Sequence, residues 1–166
     1  LPLEFFREFL PGKLKWNEYT YFWPPSTTSD TIKLVSVRAK RFCEMPIIDL
    51  ALAKLHSELP QTLPYHDFEH TVDVLDEVVM FGSTDKLDER SLYLLAVTAV
   101  FHDMGFIERG QENEVLGARD AVNAMTLDGG FSREEIDLVA TMILDTEVRQ
   151  TDRGLQQVPT TTLSKY

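Results

Sequence analysis

Only four histidines occur in this 166-residue chain, and three of them fall in two short segments. Tyr65-His66-Asp67-Phe68-Glu69-His70-Thr71 carries two imidazoles four positions apart. Phe101-His102-Asp103-Met104-Gly105 carries an imidazole beside a carboxylate. Imidazole nitrogen and carboxylate oxygen are the donors that divalent transition ions take from proteins. If residues 66–70 are helical, His66 and His70 project from one face, one turn apart. Adjacent helical residues point about 100° apart, so His102 and Asp103 can serve one ion only where a helix is ending. Gly105 supplies that ending as the expected C′ residue, and the partial negative charge of a helix C-terminus favours a cation there. Mixed His/Asp ligation suits Mn, Fe, Zn, Ni or Co better than a pure Mg or Ca site. His56, among Leu52, Leu55 and Leu59 with no companion motif, reads as a core histidine.

The elements that must position these groups read as helices. Leu1 to Leu10 has the pitch of a short amphipathic helix, broken by Pro11-Gly12. Trp16, Tyr19, Tyr21, Phe22 and Trp23 then make residues 1–30 an aromatic N-terminal arm, extended or a short hairpin, packed on the main body, the alternative being a contact face for a neighbouring domain. Residues 31–166 form the helical domain. Its first helix is expected over Thr31–Met45, and Pro46 opens a second that closes before Pro60. A third runs from about Asp67 to Phe81, with Val72, Leu75, Val78, Val79 and Phe81 as its apolar stripe and Gly82 as its end. Asp88 caps the segment Leu92–Phe101, which is apolar nearly all round and therefore central. Glu112 to Met125 is a fifth helix, stopped at Gly129-Gly130. Ser132 with Glu135 forms a capping box for a sixth. The polar tail from Arg149 has no period and no strand alternation. The expected fold class is all-α, an irregular helical bundle.

Bulk properties narrow the function. One domain fits the length, and 43% hydrophobic with 26% charged residues is an ordinary globular composition. The net charge of −11 argues against binding a nucleic-acid duplex, which calls for a basic footprint. A phosphorylated substrate would have to be attracted locally, and a dication would do so. Cys43 is the single cysteine, so no internal disulfide and no cysteine-rich zinc site can form, and a reducing, cytoplasmic location fits. No apolar run reaches the roughly 18 residues of a membrane span. The chain begins without Met and stops in mid-flow at Tyr166, which reads as an excerpt truncated at the C-terminus, with an attached domain or a homo-oligomer as possible context.

Tyr65-His66-Asp67-x-x-His70-Thr71-x-Asp73-Val74 resembles the His-Asn-x-x-His-Ala-x-Asp-Val motif of cyclic nucleotide phosphodiesterases, and more closely its counterpart in bacterial HD-domain phosphohydrolases. Ala99-Val100-Phe101-His102-Asp103 with Gly105-Phe106 is similar to the segment that names the HD superfamily. Asn113-Glu114 and Ile143 to Thr146 are similar to weaker later motifs of those proteins. The resemblance covers roughly Tyr65 to Thr146, about half the chain. It implies an HD-type helical bundle and a metal-dependent phosphohydrolase acting on a nucleotide or another small phosphorylated molecule. The implied cofactor is a divalent ion (Mn, Fe, Ni, Co, Zn or Mg).

The resemblance also implies roles. His70, His102 and Asp103 would be metal ligands, and His66 a general acid near the leaving oxygen or an extra ligand if a second metal binds. With such a site, Glu114 could orient water or hold a ligand histidine, with a helix-N-terminal glutamate that serves the dipole an equal expectation. The pattern needs one more aspartate, for which Asp145 is the candidate within the chain, the alternative lying beyond Tyr166. Asp67 stands where phosphodiesterases carry Asn. With no later histidine, a single metal, or two held partly by carboxylates and water, is expected. Asp73 and Glu69 are candidates to support His70, though a solvated face is the expectation for Glu69. Arg109 and Arg119 could grip phosphate, with surface ion pairs the simpler expectation. The rival reading is an HD module that has lost turnover and senses a nucleotide or metal.

Overall fold

The computed structural model describes residues 36–166. The expected helix over 1–10, the aromatic arm over 1–30 and the start of the helix at Thr31 lie outside the described residues. Six α-helices follow: α1 (Val37–Cys43), α2 (Pro46–Glu58), α3 (Phe68–Thr84), α4 (Glu89–Phe101), α5 (Asn113–Asp128) and α6 (Arg133–Leu144). A 3-10 turn (Met104–Ile107) separates α4 from α5. After α6, β1 (Val148–Thr151) pairs antiparallel with β2 (Gly154–Gln157), Val148 opposite Gln157 and Thr151 opposite Gly154. The described chain is therefore helical with one small hairpin.

The helix starts follow local chemistry. Pro46 takes the first position of α2, where a missing N–H leaves nothing unpaired. The carboxylate of Asp67 accepts from the His70 N–H at 2.7 Å and opens α3. Asp88 accepts from the Ser91 N–H at 2.8 Å and opens α4. Ser132 and Glu135 form the reciprocal capping box of α6.

Helix α4 is the axis of the bundle. Leu92 and the eight residues from Leu94 to Phe101 are buried, and the helix packs against all five others and the 3-10 turn. A helix apolar on every side is stable only when covered on every side. Burying each of its large aliphatic side chains is worth about 1.5–3 kcal/mol.

Three expectations are corrected. Gly82 does not end α3, which continues to Thr84. A Cβ at Gly82 would lie 2.7 Å from Leu92 Cδ2, so glycine is there to let α3 press against α4. The turn is made instead at Lys86, with φ of 59°. Phe81, assigned to the apolar stripe, is 49% exposed. The tail is not irregular throughout, since it contains the hairpin, closed through Asp152-Arg153. Nearly every hairpin residue is exposed, so burial imposes no alternation that a sequence could display. Beyond it the chain returns to the body, where Leu163 and Tyr166 pack on the core and Tyr166 Oη donates to Asp85 at 2.6 Å. Among the described residues no helix is long and apolar enough to cross a membrane.

Candidate metal centre

The end of α4 is where the two histidine segments meet. His102 keeps helical angles (φ −61°, ψ −37°), and Asp103 departs from them (φ −100°, ψ 4°) as the chain enters the 3-10 turn. This change lets neighbouring side chains face one another, with His102 Nε2 3.1 Å from Asp103 Oδ2. Gly105 contributes differently from expectation, because it is not left-handed. A Cβ there would collide with the Asn113 carbonyl and lie 2.6 Å from its Cα, so glycine admits the start of α5 against the turn.

His66 and His70 arrive from the other side. His70 is in the first turn of α3, and His66 precedes the cap residue Asp67. The two are therefore not related as residues on one helical face, which corrects that expectation. They converge nonetheless. His66 Nδ1 is 2.9 Å and His70 Nε2 3.7 Å from Asp103 Oδ2. One donor atom from each of His66, His70 and Asp103 lies within 4.8 Å of the other two. Three imidazoles thus surround one carboxylate that is 2% exposed. Phe106 stacks on His66 (centroids 4.4 Å, 24° between planes), and Tyr65 lies against His70 at 4.5 Å. The sequence reading does not include either ring contact. The available signal was aromatic residues bordering both histidine segments.

His102 Nδ1 is 2.7 Å from the Ala99 carbonyl, which can only accept, so Nδ1 carries a proton. In neutral His102 the Nε2 lone pair then faces an Asp103 oxygen at 3.1 Å. Two lone pairs at that distance repel unless a proton or a cation lies with them. Burial drives His102 toward neutrality, but its bond and charge interaction with Asp103 prevail and raise its pKa. Burial likewise pushes Asp103 up, but the surrounding histidines outweigh it and hold the carboxylate below its ordinary range. For His70 burial prevails over Asp103 and lowers the pKa, favouring the neutral, donor form.

His66, His70 and Asp103 form a donor group spaced so that it could hold a divalent ion, and His102, in contact with Asp103, falls outside that group. With metal–ligand bonds of about 2.0–2.2 Å, neighbouring donors stand about 3.0–3.4 Å apart. The separations from Asp103 Oδ2 of 2.9, 3.1 and 3.7 Å bracket that range. The Ala99 carbonyl at His102 Nδ1 is the usual outer support of a ligating imidazole.

Other candidates lie apart. Asp145 does not join the converging donors, contrary to expectation. It caps the end of α6, buried, and its carboxylate accepts from Thr160 N at 2.7 Å and Thr160 Oγ1 at 2.8 Å. Glu114 sits half-buried in the first turn of α5, where its charge helps raise the His102 pKa. With its amide nitrogen turned toward Glu114, Asn113 donates to that carboxylate at 2.9 and 3.2 Å. Asp73 and Glu69 are exposed. Arg109 pairs with Glu112 at 2.8 Å, and Arg119 pairs with Glu108 and, at 2.7 Å, Asp120. His56 is not a core residue, being exposed with its ring edge-on to Phe68 at 5.0 Å.

Comparison of the chain with protein-family models, curated proteins and solved structures finds no match.

Proposed function

We propose that this chain is an HD-type, metal-dependent phosphohydrolase that cleaves a phosphoester of a nucleotide or another small phosphorylated molecule. The observation that carries the reading is the convergence of His66, His70 and His102 on the buried carboxylate of Asp103. His70, His102 and Asp103 would hold the ion, with His66 within reach as a further donor. A bound divalent ion supplies Lewis acidity toward water and positive charge toward a phosphate oxygen.

The chain's own groups do the rest. Asp103 gathers the imidazoles, and the Ala99 carbonyl fixes His102 with Nε2 toward the centre. His66 engages Asp103 through Nδ1, while its Nε2 makes no hydrogen bond among the described residues and its side chain is 37% exposed. That leaves Nε2 able to carry a proton to a leaving alkoxide, a role worth about 10²–10⁴-fold. Phe106 stacked on the ring holds it in plane. The net charge of −11 repels anions overall, so attraction of phosphate falls to the centre itself.

One observation favours the sensing reading. Thr160 engages Asp145, which leaves Asp103 as the one carboxylate in the donor group among the described residues. Turnover separates the two. With Mn²⁺, Co²⁺ or Ni²⁺, p-nitrophenyl phosphate and bis-p-nitrophenyl phosphate should release nitrophenolate. Chelation and Asp103→Ala should abolish release, and His66→Ala should slow it about 100-fold or more. Metal bound without turnover of these esters or of nucleotides would sink the enzyme reading and leave the sensor.

A further inference from the structure

We infer that Gly117 is a positioning residue for the candidate metal centre, seating α5 on the last carbonyls of α4 and thereby fixing the bend that brings His102 and Asp103 together. The inference rests on the metal-centre reading above. Gly117 lies inside α5, where glycine is a poor helix former and calls for a packing reason. A Cβ at this position would collide with the Phe101 carbonyl oxygen and lie 3.2 Å from that of His102. Both oxygens belong to the peptides that end α4. They cannot yield as a flexible side chain yields, because moving them rotates the backbone that carries His102 and Asp103.

The same contact is made in reverse at Gly105, whose missing side chain admits the backbone of Asn113. One glycine on each partner therefore interlocks α5 with the turn that bears the centre. Arg119, two residues beyond Gly117, ties α5 to Glu108 at the end of the 3-10 turn. Gly82 provides a contrast within the molecule. It too is a buried helical glycine, but a Cβ there would meet the side-chain ends of Leu92 and Leu87. It also stands twelve residues, about 18 Å, along α3 from His70.

The test is Co²⁺ affinity and visible absorption for the parent, Gly117→Ala and Gly82→Ala, with helicity followed by circular dichroism. Both variants should remain helical and melt at lower temperature. Gly117→Ala should bind Co²⁺ about tenfold or more weakly, with changed ligand-field band intensities, while Gly82→Ala should bind as the parent does. A folded Gly117→Ala that matches the parent overturns the inference alone. A parent that takes up no Co²⁺ overturns the metal-centre reading and this inference with it. Should Gly117→Ala fail to fold, Arg119→Met decides, since it loosens the same seat without added bulk. About threefold weaker binding is then expected, and unchanged binding overturns the inference.

Discussion

Asp103 and Asp145 are both buried acids at helix ends, and their partners separate their roles. Asp103 faces three imidazoles, whereas Asp145 faces one threonine. Asp145→Ala should therefore leave metal affinity unchanged while lowering stability by about 1–3 kcal/mol, the cost of freeing buried hydrogen-bonding groups. Metal titration beside urea unfolding checks both halves, and loss of metal in a folded variant would restore Asp145 as a ligand. The His-Asp pair was legible because an imidazole and a carboxylate in sequence require a helix end to cooperate. The placement of Asp145 was not, since a spacing cannot reveal that Thr160, fifteen residues on, occupies its carboxylate. The position of His66 ahead of α3 was equally hidden, because four-residue spacing reads as helix whether the helix begins before or after it.

At the scale of elements, capping chemistry was the most readable layer. Asp88, Pro46 and the Ser132–Glu135 box open helices where the sequence places them. Glu135 also receives Arg90 through two bonds of 2.6 and 2.7 Å, tying α4 to α6. Arg90 holds the Glu135 carboxyl at a pKa of about 2, down from 4.5. A folded pKa below the unfolded one stabilises fully above about pH 4.5 and is lost as pH falls toward 2. Solvent screening of this partly exposed pair limits the contribution to about 1 kcal/mol. Thermal melts of Glu135→Gln should thus lag the parent at pH 6 and coincide with it near pH 2, and a constant difference across that range would contradict the assignment. Glycines were the least readable layer. Gly82 and Gly105 both read as helix terminators in the sequence, but each serves close approach of a neighbouring segment. That role depends on tertiary packing, which local sequence does not contain.

For the molecule as a whole, helical class and a central α4 were legible because the 3.6-residue period and an all-apolar segment are properties of the chain itself. The hairpin was not, since its residues are exposed and burial writes no pattern into them. The bundle brings the N-terminal approach of α3 and the C-terminal end of α4 together around Asp103. In a chain of net charge −11, the proposed function rests on three imidazoles gathered on one carboxylate. The direct test is metal content by mass spectrometry, on protein purified without added metal or a histidine tag, beside a His102→Ala, Asp103→Ala double variant. About one transition ion per parent chain, lost in the folded variant, is the expected result. A parent without metal, even after incubation with Mn²⁺, Co²⁺ or Zn²⁺, would contradict the account.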